Sequence, residues 1–323
     1  MSWLTWRQYR LQGVIALALL AAFAAYEIPA GFQLASAWHA ANTCTGPACR
    51  GTSAQQAAND LRVLSVLVPG IIGALLGAPL VAHELETGTA AFAWTQNITR
   101  RRWLLVKAGW LLLAAALCAG AVTALVTFWS GPLNAETGSQ FQGNYYDTQA
   151  IVPVGYAVFA TALGIAAGAV LRRTLPAIGV TVAVFIGLRI WFVNSIRLHL
   201  MPAVRDVIGM ASPFSPAGPP PWIISDAVIS RSGQLLKSGF GVNGIPLTPA
   251  CAQLIGPNKG GDVQGGDMTA ALSCMQKAGY HQVITYQPGS RYWPFQGIET
   301  GVYLLLAAAL IAVAWYAVRR RDA

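Results

Sequence analysis

The chain has 323 residues, of which 55% are hydrophobic and 10% charged, where a soluble domain carries about a quarter charged residues. That balance excludes an ordinary cytosolic enzyme and leaves room for several bilayer-spanning helices plus one modest water-exposed domain. The formal charge of +9, from 21 Lys and Arg against 12 Asp and Glu, has to be read by placement, because most of the chain has little access to water.

Residues 1–12 hold Trp3, Trp6, Arg7, Tyr9 and Arg10, which suit either an interfacial helix or simple aromatic anchoring. Six apolar runs long enough to cross a bilayer follow: Gly13 to Gly31, Leu61 to Ala82, Leu104 to Ser130, Ala150 to Leu171, Leu175 to Val193 and Gly297 to Val318. The first exceeds a secretory signal core and is read as an uncleaved helix. The expected fold is an all-α polytopic membrane protein with six transmembrane helices. In the second run, Pro69 and Pro79 are expected to bend the helix. Gly73 and Gly77 there, and Gly164 and Gly168 in the fourth run, permit close helix approach.

Eleven of the 21 cations (Arg7, Arg10, Arg100 to Arg102, Lys107, Arg172, Arg173 and Arg319 to Arg321) fall on one side of these runs. Lys and Arg accumulate in cytoplasmic loops, so both termini are expected inside the cell. The surplus charge is thus an orientation marker, and nucleic acid is not an expected partner. Cys44, Cys49, Cys251 and Cys274 then lie outside, with Cys118 in a span. An even number of outer cysteines predicts the disulfides Cys44–Cys49 and Cys251–Cys274. Cys44 and Cys49 have only the isolated His39 near them, a poor metal set.

Between the fifth and sixth runs, residues 194–296 are rich in Pro and Gly, as at Pro219 to Pro221 and Gly256 to Gly266. They predict a small loop-rich extracellular domain, with a helix around Met268 to Ala278 and a strand around Gln282 to Tyr286. Residues 297–323 hold the sixth span and a basic cytoplasmic tail. Two ionisable groups stand out at membrane depth, Glu27 and Arg189; they either pair, line a hydrated cavity or snorkel separately.

The chain contains no Gly-x-x-x-x-Gly-Lys-[Ser/Thr] loop, no His-Glu-x-x-His and no Gly-x-Ser-x-Gly, so neither ATP hydrolysis nor other enzyme chemistry is expected of it. No bound cofactor or metal is expected either. The most specific run follows the second span: His83-Glu84-Leu85-Glu86-Thr87-Gly88-Thr89, then Trp94-Thr95-Gln96-Asn97-Ile98-Thr99-Arg100, Trp103 and Lys107. On residue types alone it is a loop whose acids cap a helix and whose arginines set orientation. It resembles the cytoplasmic coupling loop of ABC-2-type transporter permeases, with Glu84, Glu86, Gly88 and Thr89 in a first element and Thr95, Gln96, Thr99, Arg100 and Lys107 in a second. Tyr286 to Gln296, with Trp94 to Gln96, is similar to permeases of actinobacterial type.

The resemblance implies a permease subunit of an ATP-binding cassette exporter in the plasma membrane. Residues 13–193 would form five spans with a coupling loop at 83–103, in which a short helix carries Glu84 and Glu86 near its start. The loop would engage a separate ABC ATPase subunit, two copies of which bind ATP and Mg, and the permease would pair with a second permease subunit, identical or not. Spans one, two and five would border an outward path. The alternative is an ABC-like membrane subunit that transmits force or a signal to the extracellular domain without moving a solute.

Overall fold

The computed structural model describes residues 14, 18, 21–33, 36, 65–88, 99–137, 140–141, 143–238, 249–255 and 268–321. They fall into two compact units. The first holds the chain up to Arg197, except Ser139–Phe141, and resumes at Trp293; the second holds Ser139–Phe141 and Leu198–Tyr292.

The first unit is helical. Residues 21–33 (α1) overlap the expected first span, the remainder of which is largely outside the described residues, as is the expected amino-terminal helix. Five described helices are long and apolar enough to cross a membrane. They are Ser65–Glu86 (α2), Arg100–Phe128 within α3 (Arg100–Thr137), Val152–Leu171 (α5), Thr174–His199 and Gly289–Arg320. A short helix, Gly143–Thr148 (α4), precedes α5. The fourth of the five is α-helical over Thr174–Trp191 (α6), then π-helical over Phe192–Ile196 and 3₁₀ over Arg197–His199.

Close packing of α2 on α5 explains the glycine pairs. A Cβ on Gly73 would stand 2.3 Å from that of Ala160, and one on Gly77 would stand 2.4 Å from the Thr161 carbonyl oxygen. From the other side, a Cβ on Gly164 would meet the Ala78 nitrogen at 2.7 Å. The two Gly-x-x-x-Gly spacings therefore face each other, and only hydrogen fits between the backbones. Pro79 lacks an N–H for the Leu75 carbonyl and its ring crowds that oxygen; the turn before it, Gly73–Gly77, is wound as a π-helix. At the far end of this bundle Leu80, Val81, Trp103, Leu104, Leu111, Ile165, Ala314 and Val318 form a buried cluster drawn from α2, α3, α5 and the last helix, Tyr292–Arg321.

The second unit corrects the expectation of an all-α chain with a loop-rich insert. It contains an antiparallel sheet of Val204–Gly209 (β1), Trp222–Ile229 (β2), Leu235–Ser238 (β3) and His281–Gln287 (β4), in the order β1-β4-β2-β3. Val207 and Ile208 in β1, and Trp222, Ile223 and Ile224 in β2, favour strand, but a bulge between Ile223 and Ser225 breaks the alternation of β2. Pro and Gly dominate only the connections. Helices Pro249–Ile255 (α7) and Met268–Lys277 (α8) complete the unit. The disulfide Cys251–Cys274 joins them, with Cα atoms 5.6 Å apart, inside a core with Met210, Val228 and Met275. Cys44 and Cys49 lie outside the described residues. The last helix, Tyr292–Arg321, is α9.

Candidate functional site

The end of the helical unit formed by the last turn of α2, the first turns of α3 and the α5–α6 connection carries the sequence-singled acids. Residues 80–87 contain no helix breaker, so α2 runs on through Glu86 and stops where the Thr87 N–H and hydroxyl both donate to the His83 carbonyl, at 2.9 and 2.8 Å. Gly88 follows at φ 73°, the left-handed conformation that glycine adopts without a Cβ clash. Glu84 and Glu86 thus end a spanning helix instead of starting a separate short one.

Both carboxylates are engaged within the chain. Glu84 forms an ion pair with Lys107 of α3, whose ammonium also lies 4.7 Å from the centre of the Trp103 ring. Glu86 accepts from the Thr174 N–H at 3.0 Å and its hydroxyl at 2.8 Å, placing a negative charge at the positive end of α6. The geometry of that end is set by Arg172, left-handed at φ 54°, whose N–H closes α5 on Gly168. Arg100 opens α3 just after Thr99, whose hydroxyl accepts from the Arg102 N–H at 3.4 Å. Thr89, Thr95 and Gln96 lie outside the described residues. Two acids therefore tie α2 to both α3 and α6.

At the opposite end of the unit lies a buried charge network that the motif reading missed. Arg197, at the end of the α6 segment, grips Glu299 of α9 with two parallel hydrogen bonds, Nε to Oε2 at 3.0 Å and Nη2 to Oε1 at 2.8 Å. The same Nη2 reaches Oδ1 of Asp147 on α4 and, at 2.9 Å, the hydroxyl of Tyr156 on α5. Tyr156 stands within donor reach of Asp147 Oδ1, at 3.1 Å, and of Glu299 Oε1. Arg189 places Nη2 3.0 Å from Asp147 Oδ2 and its guanidinium 4.0 Å from the centre of the Tyr156 ring. Two cations meet two carboxylates, so the buried set is electrically balanced, the condition under which charge persists at membrane depth.

Arg189 thus makes an ion contact with Asp147. Glu27 is itself fully buried on α1. Glu299, also fully buried, lies two residues inside the sixth apolar run; a carboxylate at that depth is the signal that could have revealed the network. Burial alone would raise the Asp147 carboxyl, but Arg189 and Arg197 overrule it and hold it below the ordinary carboxylate range. Rings of Tyr156, Phe159 and Phe192 pack around Tyr303 at 4.8, 5.3 and 5.2 Å, shielding the network from the side of the bundle. Gln296 locks α9 to the start of α5, accepting from the Val152 N–H at 3.0 Å and donating to the Tyr146 carbonyl at 3.1 Å.

The described residues contain no cluster of three or more His, Cys, Asp or Glu arranged to hold a metal. Long apolar helices and a charge-balanced interior define a multi-pass membrane protein. The model of the family described as ABC-2 membrane transporter related matches residues 17–197, just over half of the chain, and the chain belongs to that family. No curated protein and no solved structure matches it.

Proposed function

We propose that this chain is the membrane-spanning permease subunit of an ATP-binding cassette exporter, driven by a separate nucleotide-binding subunit. The observation that carries the reading is the double tie of α2 through Glu84 to Lys107 and through Glu86 to Thr174. A push on the segment between α2 and α3 is then shared by three helices, as coupling to an external motor requires. Family membership supports the same reading. In this account the motif acids brace the coupling element from within, and the ATPase meets the segment between α2 and α3.

The full assembly has six spans, with residues 13–31 as the first, both termini cytoplasmic and the second unit outside the plasma membrane. The positive-inside distribution and an outer disulfide support that orientation. Two permease subunits and two ATPase subunits complete it, and ATP with Mg binds on the ATPase. Aromatic and aliphatic surfaces of the spans suit a lipophilic drug, lipid or peptide, as those of bilayer helices in general do.

The test is to purify the intact chain from its native membrane, identify a co-purifying phosphate-loop ATPase, and reconstitute the pair in liposomes. The reading predicts ATP-dependent movement of a fluorescent lipophilic cation or labelled phospholipid. ATP hydrolysis without movement of either class, regulated by ligands of the second unit, would favour the force- or signal-transmitting alternative. Purification with no ATPase would overturn both.

A further inference from the structure

The network at the second end is built to divide. Arg197 is the last residue of the helical unit before the chain enters the second unit, and Glu299 lies in the first turns after it returns. Their double hydrogen bond joins the two points between which Leu198–Tyr292 is inserted. Asp147 bridges from this pair to Arg189, with Oδ1 on Arg197 and Oδ2 near Arg189.

Three observations separate the network into halves. First, each half is neutral: Arg197 with Glu299, and Arg189 with Asp147, so parting them leaves no net charge buried in either. Second, among the described residues neither Nη1 nor Nη2 of the buried Arg189 makes a hydrogen bond. The 3.0 Å approach to Asp147 is an ion contact in an orientation that satisfies neither nitrogen. A guanidinium offers a fork matched to both oxygens of a carboxylate, and here that fork is unused. Third, Tyr156 has one hydroxyl hydrogen and two carboxylates within reach. Glu299 Oε1 is the nearer of the two, and the hydroxyl also accepts from Arg197, so its proton goes to the Arg197–Glu299 half.

The backbone between the arginines is the adjustable part. An α-helix would set residues 189 and 197 roughly 80° apart in projection, whereas a π turn adds a residue per bulge and brings them to one face, about two turns apart. That π turn is Phe192–Ile196.

We propose that this network is a two-state seam. In the arrangement seen, Asp147 bridges both arginines; in the alternative, it leaves Arg197 and takes both nitrogens of Arg189. The pair Arg197–Glu299, with Tyr156, then keeps only Tyr146 of α4, whose ring lies 4.5 Å from the Arg197 guanidinium and whose carbonyl accepts from Gln296, and shifts as one body with the π turn. This goes beyond the transport reading and needs no knowledge of the solute.

Hydrogen–deuterium exchange of the full chain in lipid nanodiscs tests it. Asp147→Asn removes the bridge but not the Arg197–Glu299 pair, so exchange over residues 143–149 and 192–197 rises about tenfold while residues 292–300 keep their protection. Equal loosening of all three segments would show one indivisible cluster and overturn the seam. Arg189→Lys supplies a second arm should the first variant fail to fold. A lysine keeps the charge but cannot grip both oxygens, so the alternative state is disfavoured and exchange over 143–149 falls below wild type. Unchanged or faster exchange in that variant would equally overturn the proposal.

Discussion

The two ends of the helical unit use the same chemistry to different effect. At one end, Glu84 pairs with Lys107 and Glu86 caps α6, each acid serving one joint between neighbouring helices. At the other, Asp147, Arg189, Arg197 and Glu299 share partners in one buried, balanced set. Independent joints fail singly, whereas in a shared buried network the loss of one member strands its own partner in a low dielectric. The first design suits a surface that takes a push from a partner, the second a hub whose state is set from within.

Breaking the hub should give the largest effect. Glu299→Gln leaves Arg197 without its forked partner and is expected to cost about 3–5 kcal/mol, read as a fall in the melting temperature of the protein in nanodiscs. A drop no larger than that of a surface variant would erase the contrast between the ends. Next, Gly77→Ala presses a methyl on the Thr161 carbonyl at the α2–α5 crossing and is expected to destabilise by about 1–3 kcal/mol. Gly187→Ala, on α6 where nothing lies within 4 Å, is the matched control and should be neutral or better.

A comparable effect, about 1–3 kcal/mol, is expected from Glu84→Gln, because it leaves the buried Lys107 ammonium facing a neutral amide. The smallest is in the pH response. The Asp147 carboxyl is held below its unfolded value, so its contribution is complete above that value and is lost as pH falls through the folded one. Thermal stability should therefore be insensitive to this group from neutral pH down to about 4, and only Asp147→Asn should show its loss at pH 7. A wild-type melting temperature falling steeply between pH 7 and 5 would place a differently titrating group at the hub.

Much of the helical unit was legible because spanning runs announce themselves by length and composition. The run Ala150 to Leu171 differs from α5 by two residues at one end. Gly73, Gly77, Gly164 and Gly168 were visible as spacings, though only the fold shows that they face one another. The strand near Gln282 to Tyr286 and the helix near Met268 were readable, while β1, β2 and β3 hid among prolines and a bulge. The hub escaped because its partners are far apart in sequence: Arg197 is 102 positions from Glu299 and 50 from Asp147. Asp147 and Arg197 also fall just outside the apolar runs, where charge looks ordinary. At the other end the motif located Glu84 and Glu86 but not their partners, since nothing local to Thr174 marks it as the residue that Glu86 will cap.

The central claim is that the tied end couples an external ATPase to the spans. The most direct measurement compares ATP hydrolysis with solute movement in liposomes holding the permease and its ATPase, for wild type and for Glu84→Ala with Glu86→Ala. The account predicts that the double variant inserts, retains the ATPase and hydrolyses ATP while solute movement falls at least about tenfold, a loss of about 1.4 kcal/mol in coupling. Solute movement per ATP equal to wild type would contradict it.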